Sequence, residues 1–122
     1  MSLNEESTNI PYVLVRLFSV LEDIQQKANP GINSTIKDKY FNSASSTPAI
    51  VFPGLINLAQ KHLRKLSDGQ RIFYQKRLQS ITSKLGEVYP TRLNLPQQGS
   101  FQLGYYHQTQ ACYEKKEEKE NV

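Results

Sequence analysis

Apolar residues at Ile10, Val13, Leu14, Leu17, Phe18, Leu21 and Ile24 recur at helical spacing, so the first predicted element is an amphipathic helix. Thr8 or Asn9 can cap its start, and Pro11 is tolerated in a first turn whose N–H groups have no helical partner. Asn29-Pro30-Gly31 cannot continue the helix, which should stop near Ala28. A shorter helix is predicted from Ser34 to about Asn42, with Thr35 and Asp38 at capping-box spacing and Ile36, Tyr40 and Phe41 as its buried side. The run Ser43-Ala44-Ser45-Ser46-Thr47-Pro48 should break it, because small hydroxyl side chains compete for backbone hydrogen bonds.

The next stretch offers two readings. A turn opened by Thr47-Pro48 could be kinked at Pro53-Gly54, or the regular helix could begin at Pro53 with Ile50 to Phe52 as an entry turn; the second is preferred. Phe52, Leu55, Ile56, Ala59, Leu63 and Leu66 form its stripe, opposite a polar and basic face of Asn57, Gln60, Lys61, Arg64 and Lys65. Ser67-Asp68-Gly69 supplies N-caps for a fourth helix, about Gln70 to Leu85. There Tyr74, Leu78, Ile81, Leu85 and Val88 align, with Ile72 and Phe73 widening the apolar side and Gly86 placed to end it. After a proline-bounded loop over 87–95, with Val88, Tyr89, Leu93 and Leu95 as anchors, Asn94 can cap a last helix from about Pro96 to Lys116. Gly99 and Gly104 would each weaken that helix by about 1 kcal/mol, which makes sense where another helix approaches closely. No useful period-2 alternation and no internal repeat occur. The expected fold is all-α, an antiparallel bundle of about five helices over 10–116, with a disordered leader at 1–9 and a charged flexible tail at 117–122.

With 122 residues, 38 % of them hydrophobic, one core is feasible and two are not. No apolar run approaches membrane-span length and no secretion signal opens the chain, so no membrane partner and a cytoplasmic location are expected. The opening Met1-Ser2-Leu3 reads as an added start, with the domain cut from a longer protein.

Charge changes the picture more. The net charge is +4, yet residues 57–84 hold Lys61, Arg64, Lys65, Arg71, Lys76, Arg77 and Lys84 against Asp68 alone. One stretch therefore carries more positive charge than the whole chain, as a polyanion-binding surface would. A phosphate backbone rewards such a surface through Coulomb attraction and counterion release, and Tyr40, Tyr74 or Tyr106 could stack on bases if exposed. An ordinary solvated face is the competing reading, and each aromatic is also a core candidate.

Chemistry is harder to find. His62 and His107 lack acidic or cysteine partners at metal-ligand spacing, and the single Cys112 reads as a buried thiol. Acidic pairs such as Glu5/Glu6 and Glu22/Asp23 lie at a terminus or on a helix face, and no glycine-rich phosphate loop occurs. No enzyme activity, cofactor, metal or small-molecule substrate is expected.

Several strings resemble a known family. Arg16-Leu17-Phe18 with Leu21-Glu22, and Ile36-Lys37-Asp38-Lys39-Tyr40-Phe41 running on to Ser43-Ala44-Ser45 and Thr47-Pro48, are two of them. Val51-Phe52-Pro53 with Leu55, Leu58 and His62 is a third, and the most distinctive is Gln98-Gly99-x-Phe101-x-Leu103-Gly104-Tyr105-Tyr106-His107-Gln108. In order, from about Tyr12 to Lys116, they resemble the C-terminal region of the large subunit of type I-C CRISPR Cascade, the Csd family. The acidic leader and the Glu/Lys tail depart from that family's usual look. The resemblance implies a small-subunit-like helical domain of an RNA-guided antiviral complex, lying beside the repeated backbone subunits. There it would help hold the guide–target duplex and the displaced DNA strand. Reading of the short motif beside the target would belong to a part of the large subunit outside this chain, and cleavage to a recruited helicase–nuclease. Implied partners are the other Cascade subunits, guide RNA and target DNA. Candidate phosphate contacts are the seven cations above, with Lys37, Lys39 and Arg92 as possible additions. The rival expectation is a protein–protein scaffold of the same complex, supported by the Gly/Tyr-rich last helix.

Overall fold

The computed structural model describes residues 9–85 and 89–120, with side chains in the last helix described as far as Gln108. Among these residues five helices follow one another: α1 (Ile10–Ala28), α2 (Ile36–Ser46), α3 (Pro48–Leu63), α4 (Asp68–Thr82) and α5 (Leu95–Glu120). Among the described residues there is no strand, as the missing period-2 pattern anticipates.

Helix α1 starts and stops where its sequence says. The Asn9 side chain accepts the Tyr12 N–H at 3.2 Å, Pro11 sits in the first turn, and the last regular residue is Ala28. Asn29-Pro30-Gly31 then forms a turn closed by the Ile32 N–H on the Asn29 carbonyl at 3.2 Å. Gly31 takes φ +83°, a left-handed conformation that glycine enters without a Cβ penalty. The one-sided pattern of α1 understates its burial. Val13, Leu14, Val15, Arg16, Leu17, Phe18, Val20, Leu21 and Ile24 are all buried, because α2, α3, α4 and α5 each pack against this helix. It is the axis of the bundle.

Phe18 shows how that axis works. Its fully buried ring makes edge-to-face contacts with Phe41 of α2, Phe52 of α3, and Phe101 and Tyr105 of α5, at centroid separations of 5.7 to 6.4 Å. Such aromatic pairs each add about 0.5–1.5 kcal/mol beyond their buried area. Polar links reinforce the same helices. The Glu22 carboxylate accepts the Tyr105 hydroxyl on Oε1 at 2.8 Å and the Thr35 hydroxyl on Oε2 at 3.0 Å. Gln25 Oε1, buried, accepts the Ile36 N–H at 2.8 Å and fixes the start of α2. Tyr74 of α4 donates its hydroxyl to Asp23 Oδ2 at 2.7 Å.

Two boundaries differ from the sequence-based expectation. The Ser/Ala run does not end α2, which continues through Ser46. The hydroxyls of Ser45 and Ser46 donate to the Asn42 carbonyl and that of Thr47 to the Ser43 carbonyl, so they bond back along the helix instead of competing with it. Ala44 and Ser45 are buried there, where small side chains let the neighbouring helix approach. Likewise α3 begins at Pro48, not Pro53. Pro48 occupies the first turn, and Ala49 N–H is satisfied outside the helix by the Pro90 carbonyl at 2.9 Å. Pro53 removes one donor on the exposed side, a loss outweighed by the burial of Phe52 and Leu55 on the core side. At the other end α3 stops at Leu63, leaving Arg64 to Leu66 in a turn, and α4 starts earlier, capped by Ser67 Oγ accepting the Gln70 N–H at 3.3 Å. The expected role of Gly86, like the places of Val88 and Cys112 and the leader at 1–8, falls outside the described residues or side chains.

Helix α5 is capped reciprocally, with Asn94 Oδ1 accepting the Gln97 N–H and Gln97 Oε1 accepting the Asn94 N–H, both at 2.8 Å. It runs to Glu120, further than the expected Lys116. Its two glycines part company. A Cβ on Gly104 would collide with Val15 Cγ1 and reach Tyr12 Cδ2 at 3.0 Å, so α1 and α5 touch through the missing side chain. Gly99 is exposed with nothing within 4 Å of an added Cβ, so no close approach explains it.

The pair makes a test of opposite sign. Gly99→Ala should stabilise the domain by up to about 1 kcal/mol from helix propensity. Gly104→Ala gains the same propensity but must displace a stiff, buried valine, and should destabilise by about 1–3 kcal/mol net. Urea unfolding midpoints of the two variants against the parent chain measure both.

Candidate nucleic-acid interface

The expected cations come from several elements, and the structure sorts them into two groups. The first lies where α1 ends and the chain turns from α3 into α4. Lys61 is exposed in the last turn of α3, and Arg64 and Lys65 are exposed in the turn that follows. Asn29, the C-cap of α1, ties this corner together. Its amide nitrogen lies 3.2 Å from His62 Nδ1 and 3.4 Å from the Gln25 carbonyl, and its Oδ1 accepts Lys65 Nζ at 3.4 Å. Lys27, exposed in the last turn of α1, is a further cation at that helix end and lies outside the charged stretch 57–84. Lys27 and Lys61 both sit at helix C-termini, where a cation is favoured by the helix dipole. Part of the clustering is therefore a stabilising feature of helix ends.

Arg71 belongs to this corner but is engaged structurally. Its Nε donates to the Leu63 carbonyl at 3.3 Å, Nη2 to the Leu66 carbonyl at 3.1 Å, and Nη1 to Asp68 Oδ1 at 3.1 Å. It closes the end of α3, whose last carbonyls would otherwise lack donors, and the same Asp68 is the acidic residue of the first turn of α4.

The second group follows α4 outward. Lys76 is exposed and Arg77 half-buried, with its guanidinium carbon 5.9 Å from the centroid of the Phe73 ring. Lys84 lies half-buried in the turn after the helix. From Gly69 to Leu85 there is no acidic residue. Helices α3 and α4 each pack on α1 and scarcely on each other, so their charges do not merge side by side; they meet at the turn joining the two helices. The possible additions lie elsewhere. Lys37 and Lys39 are exposed near the start of α2, with Lys37 Nζ 5.1 Å over the Tyr105 ring. Arg92 is exposed in the loop before α5, next to Leu93, whose N–H reaches the Ser46 carbonyl at the far end of α2.

The aromatic candidates divide too. Tyr74 is core and Tyr105 is buried with its hydroxyl used, whereas Tyr40 and Tyr106 are exposed. His107 is half-buried with its ring edge-on to Tyr12, away from solvent-facing Tyr106. Phe73 and Ile72, expected to widen the buried side of α4, are instead exposed by 54 % and 52 %. The inward side of α4 is taken by Tyr74, Leu78 and Ile81.

Among the described residues no group of three or more His, Cys, Asp or Glu side chains is placed to hold a metal ion, and no helix is long and apolar enough to cross a membrane. Against this geometry, the model of a family described as CRISPR-associated protein (Cas_Csd1) matches residues 1–113. The chain belongs to that CRISPR-associated family. No curated protein matches it.

His62 gives the corner a pH dependence. Partial burial and the nearby Lys65 charge both hold its pKa below the usual value. Its Nδ1 accepts from the Asn29 amide, and a proton there would set two donors face to face. The unfolded chain takes up that proton near pH 6.5, before the folded one does. Stability from this group is thus complete above about pH 6.5 and is lost as pH falls below it. Thermal unfolding at pH 7.5 and 5.5 should show that loss, and His62→Gln should make it smaller.

Proposed function

We propose that this chain is a non-catalytic, nucleic-acid-binding structural domain of an RNA-guided CRISPR surveillance complex of the Cascade type. It helps hold the guide–target duplex and the displaced DNA strand beside its sister subunits. The observation that carries the reading is the α3–α4 corner. Lys61, Arg64 and Lys65 are exposed there, with no carboxylate within ion-pair distance among the described residues, on a chain of a CRISPR-associated family. Long flexible cations without acidic partners suit phosphate oxygens of any sequence, and their attraction works through counterion release. Lys76 and Arg77 extend the surface along α4, while Arg71 serves it mainly by holding the turn in shape.

A second reading draws on α5. Leu95, Leu103 and Tyr106 lie on its outer side and are exposed by 79 %, 48 % and 70 %. That apolar side suits a neighbouring protein subunit better than a phosphate backbone, and favours a scaffold role in the same complex.

Binding of labelled single-stranded and duplex oligonucleotides across a salt series separates the two. The nucleic-acid reading expects affinity to fall steeply with salt. It also expects the triple variant Lys61→Ala, Arg64→Ala, Lys65→Ala to lower the log–log slope by about two to three, near one for each phosphate that is no longer neutralised. Salt-insensitive binding, or a triple variant indistinguishable from the parent, would leave the scaffold reading standing.

A further inference from the structure

Phe73 stands out among the large apolar side chains on the surface because of its neighbours. It lies on α4 with Lys76 and Arg77 three and four residues on, a spacing that sets them on the same side of the helix. No acidic side chain follows Asp68 anywhere along the helix. Apart from Ile72, one residue back and likewise exposed, the setting on α4 is polar and cationic, and an exposed phenylalanine there gains nothing from water. It does not fill the core either, since Tyr74, Leu78 and Ile81 already occupy the inward side.

The ring is also held in place. Tyr74 meets it edge-on at 5.2 Å between centroids, and Tyr74 is itself fixed by its hydrogen bond to Asp23 on the central helix. The Arg77 guanidinium lies 5.9 Å from the ring centroid, within cation–π range. A pre-positioned aromatic surface loses little freedom when a flat partner settles on it.

We propose that Phe73 is a stacking platform for an unpaired nucleobase, with Lys76 and Arg77 holding the phosphates on either side of that base. The proposal rests on the nucleic-acid reading above and sharpens it, because a platform of this kind selects single-stranded over duplex nucleic acid. In a duplex the base faces are covered by their neighbours, and a ring standing on a convex helix cannot reach them. In a single strand every base offers a face, so the preference is for strandedness and not for sequence. The cationic setting argues for this occupant over a protein neighbour, which would meet the exposed Lys76 and the half-buried Arg77 around the same ring.

Fluorescence anisotropy with the full chain and three probes tests it. These are a labelled oligodeoxythymidine of about 12 nucleotides, within the span of single-strand sites, an abasic strand with the same number of phosphates, and a duplex of equal length. The thymidine strand should bind roughly 5- to 100-fold tighter than the abasic strand, the range expected for one stacked base. Phe73→Ala should abolish that ratio while leaving the salt slope unchanged, and Phe73→Tyr should keep it. Because Phe73 is half outside the core, the thermal midpoint of the alanine variant should stay close to the parent's, which confirms that the effect is local. If thymidine and abasic strands bind equally but with strong salt dependence, phosphate binding survives and the platform falls. A ratio that persists in Phe73→Ala overturns the platform as well. If no probe binds even at low salt, the nucleic-acid reading itself fails, and the platform with it.

Discussion

Phe18 is fully buried at a point where side chains from α2, α3 and α5 converge on α1, and its edge-to-face contacts account for why those helices share one centre. Because α1 is enclosed on nearly every side, the other helices have their outer faces free. A small helical chain with one axial helix can thus keep most of its cations on the surface without opening the core. Truncating Phe18 to alanine removes packing against three helices at once, and such a change in a packed core costs about 3–5 kcal/mol. That is a large share of the total stability of a domain this size.

The sequence was most legible where local chemistry decides the structure. Asn9, Ser67 and Asn94 cap the helices they precede, and Asn29-Pro30-Gly31 turns as its residue types require. It was least legible where packing overrules propensity. Pro53 and the serine run look like breaks when read alone. They are carried through as helix because Phe52 and Leu55 must face the core, and because the hydroxyls have carbonyls to bond four residues back. The same limit applies to the candidate interface. Charge along residues 57–84 can be counted directly, but the sequence cannot tell an arginine that closes a helix end from one that faces solvent. Arg71 and Arg64 differ in that respect, and the difference lies in the path of the turn between α3 and α4. Phe73 lies outside the core because the actual contact of α4 with α1 is narrow, whereas a helical wheel assigns it to a widened apolar side.

The distribution of charge also bears on the surface's use. Cations at the C-termini of α1 and α3 stabilise those helix ends, so they are present whether or not a polyanion binds. A ligand that engages them competes with carbonyl dipoles for part of the same field. Lys76 and Arg77 hold no such place at a helix end, since the last turn of α4 carries no basic residue. Binding at the corner should therefore be more closely coupled to fold stability than binding along α4.

Glu22 carries a consequence for how this chain tolerates change. It is an acidic residue on a helix, of a kind that substitution tables treat as interchangeable surface. Yet its two oxygens receive the hydroxyls of Thr35 and Tyr105, and so link the entry to α2 with the middle of α5. Aspartate is one methylene too short to keep both links. In a library of variants scored for folding, position 22 would therefore behave like a core position despite its charge, and its tolerance would covary with positions 35 and 105, both of them distant from it in sequence.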